Sequence, residues 1–152
     1  MVIEPDREGA RRTIEAARDD YRDWILATAE EVWTLFDRRF RALWNTRHAG
    51  ETFAPGLFAE GAGPAALKGA QDAYMRRLFV DSLGFAGCKM TRRILGLAHV
   101  EDLESIANPD LRAECEKRAL KLARAFMVEG QGFADIRAAS DAARALQRET
   151  VK

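Results

Sequence analysis

The residues best suited to chemistry fall in one run, Gly84-Phe85-Ala86-Gly87-Cys88-Lys89-Met90-Thr91-Arg92-Arg93-Ile94-Leu95-Gly96-Leu97-Ala98-His99-Val100. The run is apolar and rich in glycine, yet it carries Lys89, Arg92 and Arg93 and no acid. A buried guanidinium without a partner is costly. Its planar fork of donors suits hydroxyl, carboxylate or phosphate oxygens. On a helix Arg92 and Arg93 point about 100° apart, and Lys89 lies near both. The nearest acids in sequence, Asp81 and Glu101, stand outside the run. That chemistry allows two readings. The segment presents cations to a polar ligand, or one arginine pairs with an acid from another helix while the other is solvated.

The remaining candidates carry less. Gly84, Gly87 and Gly96 each cost roughly 1 kcal/mol inside a helix relative to alanine. Packing explains them best: Gly87 with Gly84 or Ala98 allows a close helix approach, and Gly96 marks a helix end. His48 and His99 lack metal-ligand spacing and read as capping or satisfied core groups, not catalysts. Cys88 and Cys115 form neither a metal pattern nor a disulfide framework, and read as reduced, mostly buried thiols. There is no Walker-type phosphate loop, no dinucleotide fingerprint and no nucleophile elbow. Catalytic, metal and cofactor residues are therefore expected to be absent from this chain alone.

At 152 residues, 47% hydrophobic and 32% charged, the chain is long enough and apolar enough for one folded domain spanning 1–152. Lysine plus arginine and aspartate plus glutamate both number 24, so the net charge is zero, which argues against a nucleic-acid binder. The first twenty residues are charged and lack the apolar stretch of a signal peptide. No run approaches the ~18 apolar residues of a membrane span. A cytoplasmic location and no membrane partner are expected.

The elements that must hold the cationic run are helices, because β-branched residues are few and alternation is not sustained. From Tyr21, apolar residues at Trp24, Ile25, Val32, Leu35, Phe36, Phe40, Leu43 and Trp44 keep a 3.6-residue period, which predicts one helix from about 8 to 47. Its opposite face, with Asp20, Asp23, Glu30, Glu31, Asp37, Arg38 and Arg41, reads as solvated. His48 to Pro64 is a loop with an apolar anchor at Phe53, Leu57 and Phe58. A second helix is expected over 65–83 with Tyr74, Leu78 and Phe79 inward, ended by Gly84. A third is expected over 85–97, and a short piece at 102–106. Asn108 caps and Pro109 opens a fourth helix to about Glu129. Gly130 and Gly132 break it before a last amphipathic helix over 135–148.

The cationic run closely resembles the C-terminal part of S-methyl-5-thioribose kinases. That family's run reads D-x-x-G-F-A-G-x-x-x-x-R-R-x-x-G-x-A-H-V-x-D, with Asp81 and Asp102 here as the outer acids. The likeness continues through Leu103-Glu104-Ser105-Ile106 and Arg112-Ala113 to Ala119-Leu120, and back through Trp33-Thr34-Leu35-Phe36 and Phe40-Arg41-Ala42-Leu43-Trp44. The resemblance implies an all-α lobe of a protein-kinase-like, choline-kinase-like fold. It implies a transferase that phosphorylates the 1-hydroxyl of 5-methylthioribose with ATP and Mg²⁺ in methionine salvage. It assigns substrate binding to Arg92 and Arg93. The family's nucleotide-binding lobe and its His-Gly-Asp are missing here, so the chain is expected to be inactive without a partner lobe on another chain. Val2-Ile3-Glu4-Pro5-Asp6 only faintly echoes the family's metal-binding V-I-D-P-E, and Glu4 and Asp6 are either its remnant or chance. The rival expectation is a stand-alone helical module that binds no sugar and forms a homodimer through Trp24, Trp33 and Trp44.

Overall fold

A computed structural model describes residues 7–47, 55–59, 61–97 and 100–148. Those residues form helices, turns and connecting segments, with no strand among them. Five α-helices follow in order: α1 (Arg7–Thr46), α2 (Gly63–Leu95), α3 (Glu101–Glu104), α4 (Pro109–Val128) and α5 (Ile136–Arg148). Short 3₁₀ turns sit at Pro55–Phe58 and Gly130–Gly132. Glu4, Asp6, His48 and Phe53 lie outside the described residues, as does His99.

The expected long first helix is present. Asn108 caps α4 as its sequence predicts: its side-chain oxygen accepts from the amides of Asp110 (2.9 Å) and Leu111 (3.1 Å), with Pro109 next. Asp135 does the same for α5, accepting from Ala138 N–H at 2.8 Å.

The expected break at Gly84 is absent. One helix, α2, runs through Gly84 and Gly87 to Leu95, so the separate helices over 65–83 and 85–97 are one element. Its glycines are spent differently. A side chain at Gly84 would meet open space, whereas a Cβ at Gly87 would lie 2.5 Å from the Ala123 carbonyl oxygen and 2.7 Å from Met127 Cγ. Gly87 is thus where α2 and α4 cross closely, and its helix-propensity cost is offset by packing. The helix ends at Gly96, whose amide donates to the Arg92 carbonyl at 3.0 Å.

The core lies along α2. Met75, Phe79 and Leu83 are buried at one-turn and two-turn spacing, with Ala123 of α4 and Ala139 of α5. Trp33, Phe126, Phe133 and Ile136 close over Phe79, Leu83 and Ala139. Helix α1 meets α2 through rings: Trp33 against Phe79 (5.1 Å between centroids), Phe40 stacked on Tyr74 (5.9 Å) and Trp44 edge-on to Tyr74 (5.2 Å).

The charged face of α1 is not simply solvated. Arg144 of α5 donates to Asp23 (3.2 Å) and Glu30 (3.1 Å), and its pKa is raised by these hydrogen bonds, Asp23 foremost. Arg41 donates to Asp37 (2.9 Å) and to Asp72 of α2 (2.5 Å). Burial pulls the Arg41 pKa down, but the bonds from both carboxylates outweigh it and leave it raised. The counter-charges on α2 and α5 turn this face inward at these points. The apolar stripe is divided: Phe40 and Trp44 pack on Tyr74 as expected of an inner face, whereas Trp24 is 61% exposed, Val32 62% and Leu43 52%.

Two outcomes test this packing. Gly87→Ala is expected to destabilise by about 1–3 kcal/mol, because the added methyl meets backbone. Gly84→Ala is expected to stabilise by about 0.5–1 kcal/mol, because it only removes helix-interior glycine. Urea midpoints at equal slope check both. The second concerns acid. The Asp72 carboxyl is held below its ordinary range, first by its hydrogen bond from Lys68 (3.0 Å) and then by that from Arg41. The stability it adds is present above the ordinary carboxylate range and is lost as pH falls through the lowered folded value. Asp72→Asn should therefore lower the unfolding midpoint at about pH 7 and match the parent chain at about pH 2.

Candidate functional site

The end of α2 carries the cations singled out by the sequence. Arg92 and Arg93 occupy the last turn and Lys89 the turn before. All three are exposed. Among the described residues, none of these three side chains has a hydrogen-bond, ion-pair or ring partner. The expected structural reading, in which one arginine pairs with an acid from another helix, therefore finds no pair here among the described residues. A cation in the last helical turn gains from the negative end of the macrodipole, about 0.3–1 kcal/mol when exposed. That benefit explains basic residues there, but it leaves every guanidinium donor unused.

The contrast with the other arginines is sharp in kind. Arg76 donates to the carbonyls of Gln131 (2.5 Å), Phe133 (2.6 Å) and Ala134 (3.2 Å), and its guanidinium lies 5.6 Å from the Phe79 ring centroid. Arg112 donates to the carbonyls of Ile106 (2.8 Å) and Glu104 (3.0 Å), fixing α3 to the start of α4. Arg41 and Arg144 join helices through carboxylates. Nothing in the order of residues singles out Arg76, because its acceptors are backbone carbonyls more than fifty residues away.

Other candidates resolve plainly. Asp81 and Asp102 are exposed. Asp81 edges an open cleft of about 290 Å³ that is walled by Val80, Phe85, Cys88, Phe126 and Met127. Cys88 is exposed, not buried as expected, and its sulfur lies 3.6 Å from Met127 Sδ; Cys115 is half-buried. Gly87 takes the side of α2 that meets α4, and Cys88, the next residue, points about 100° round the helix from it, at the edge of that contact. Among the described residues no three His, Cys, Asp or Glu side chains gather as a metal site. No described helix is long and apolar enough to cross a membrane.

These features define, among the described residues, an all-helical fold with a cationic helix end that has no partner there, suited to oxygen-rich or anionic groups. No family model matches the chain. Individual relatives do. The chain is 45% identical over 121 residues to methylthioribose kinase 1 of Oryza sativa subsp. japonica, covering 78% of this chain and 27% of that protein. It is 40% identical over 119 residues to the methylthioribose kinase of Escherichia coli O45:K1, covering 78% and 28%. It is 38% identical over 100 residues to that of Geobacillus thermodenitrificans, covering 66% and 22%. Over most of its length the chain is thus homologous to a part of the methylthioribose kinases, and it spans little more than a quarter of the first of these relatives.

Replacing both Arg92 and Arg93 with alanine should change folding stability by no more than about 0.5 kcal/mol, the usual result for exposed, unpaired positions. Arg76→Ala should cost about 1–3 kcal/mol, because three carbonyls lose their donor. Thermal unfolding of the two variants side by side checks the difference.

Proposed function

We propose that this chain is the substrate-side, C-terminal helical lobe of an S-methyl-5-thioribose kinase, with a protein-kinase-like, choline-kinase-like architecture. Arg92 and Arg93 bind methylthioribose and the phosphate forming on its 1-hydroxyl. The observation that carries this reading is the pair of exposed guanidinia without a partner among the described residues, at the end of a rigid helix. Homology to the kinases supports the family.

Phosphoryl transfer makes little demand for covalent chemistry. It needs alignment and charge stabilisation, and guanidinium groups supply both. Helix α2 delivers the arginines on a fixed scaffold, because Gly87 packs it against α4 and Gly96 stops it within about a turn of Arg93. Lys89, one turn back on the same side, adds a third positive charge to the field. Among the described residues no three His, Cys, Asp or Glu side chains gather to hold a metal ion, so no step is routed through ATP·Mg²⁺ here. A nucleotide lobe outside these 152 residues would hold it, and these residues alone are catalytically silent.

The test is an enzyme rebuilt from this chain and a chain carrying the nucleotide lobe. In it, Arg92→Ala and Arg93→Ala should each lower kcat/KM about 10²–10³-fold, the usual loss for one oxyanion donor, with unfolding temperature unchanged. Full activity in the double variant would overturn the assignment. Steady ATP consumption with methylthioribose by the isolated chain would overturn the claim that a second lobe is required.

A further inference from the structure

Glycine at the end of a helix is ordinarily chosen for the left-handed backbone of a cap, which other residues adopt only at a cost. Gly96 does not fit that account. Its backbone is extended, at φ −86° and ψ 172°, a conformation open to any residue. Among the described residues only Gly61 has a positive φ. Space is the remaining reason, and the space belongs to one neighbour. The three atoms nearest a Cβ built at residue 96 are the carbonyl oxygen, the carbonyl carbon and Cγ of Arg92. The oxygen would sit well inside contact distance, and the carbon and Cγ would each lie at 3.3 Å. By contrast, Gly84 faces open space and Gly87 faces α4.

Helix geometry gives the reason. Every Cα–Cβ bond tilts toward the helix N-terminus, so a side chain leans back over the residue four positions earlier. Residue 96 is the position that would cover Arg92. With only hydrogen there, the last turn closes: the Gly96 amide donates to the Arg92 carbonyl at 3.0 Å, and the Arg92 stem lies over the glycine. The matching position for Arg93 is Leu97, which is fully exposed at 102% and lays nothing over that stem. Residue 96 therefore acts on Arg92 and not on Arg93. A methyl group at 96 would meet the Arg92 carbonyl, and no rotamer change relieves a clash with backbone. The last turn would have to open, moving the root of the Arg92 side chain while Cγ is pressed from the same side. A shift at the root is amplified at the guanidinium, the far end of the stem.

We infer that Gly96 is a positioning residue for Arg92: by carrying no side chain, it lets the end of α2 close and aims the Arg92 guanidinium at the bound sugar. The part of this inference that concerns turnover rests on the methylthioribose reading of Arg92. The part that concerns orientation does not, so the two can fail separately.

Two measurements test it. In the isotope-labelled chain, three-bond N–Cγ and C′–Cγ couplings report the χ1 rotamer of each arginine. Gly96→Ala should change those of Arg92 and leave those of Arg93 as they were, with helicity retained by circular dichroism. In the enzyme rebuilt with a nucleotide-lobe chain, Gly96→Ala should lower kcat/KM about 10–10²-fold, the scale on which a misplacement of ~1 Å acts. That loss should vanish in an Arg92→Ala background and persist in an Arg93→Ala background, a dependence that a general loosening of the helix end would not show. Unchanged Arg92 couplings would overturn the inference. So would a loss of equal size in all three backgrounds, or no loss from Gly96→Ala where Arg92→Ala itself is costly. If Arg92→Ala left turnover intact, the sugar-binding reading would fall, and the couplings would still decide the orientation.

Discussion

The approach of α2 to α4 at Gly87 is the contact on which the remaining packing depends. Helix backbones come that close only where one side lacks a side chain, and here the Ala123 carbonyl takes the place a Cβ would need. This crossing sets the height of α4 over α2. It also places Phe126 and Ala123 over the core row of Met75, Phe79 and Leu83, and gives α5 a floor on which to seat Ala139. The far end of α2, with its three cations, is held in orientation by the same crossing. A small shift at residue 87 would therefore be felt both in the core and at the arginines.

Much of this architecture was legible in the residues. The period from Tyr21 to Trp44 defined α1, and Asn108-Pro109 marked the start of α4 with its cap and first residue. Gly96 was recognisable as a stop. Gly84 was misread because glycine signals both a helix end and a close approach, and only the neighbouring helix distinguishes them. At Gly84 neither applies; three residues later, at Gly87, the close approach does. The two faces of α1 were misread for a related reason. Periodicity shows that a helix is amphipathic, but not which side meets the rest of its own chain. Arg144 and Asp72 lie far away in sequence, and they cover Glu30 and Arg41 while Asp20, Asp23, Glu31 and Arg38 of the same face stay exposed as expected.

The arginines divide by how they are satisfied. Arg41 and Arg144 bind carboxylates, and Arg76 and Arg112 bind backbone carbonyls. Each holds two or more segments together. Arg92 and Arg93 hold nothing among the described residues. Exposed arginines without a partner among the described residues also occur at Arg38 and Arg39; what sets Arg92 and Arg93 apart is a sequence run free of acids, though sequence could not exclude a distant one. The fold supplies distant acids to Arg41 and Arg144, and none of those described reaches the end of α2.

The Arg76 clamp has a consequence for how this chain can vary. Its guanidinium grips the segment after α4 by the oxygens of Gln131, Phe133 and Ala134. Carbonyl oxygens are the same in every amino acid, so the grip is blind to side-chain identity. Phe133 is constrained by its ring against Phe126, 5.4 Å between centroids, but Gln131 and Ala134 are exposed. Those two positions are free to drift to almost any residue while the path of the chain, and the seat of α5 beyond it, stays fixed by one arginine on another helix.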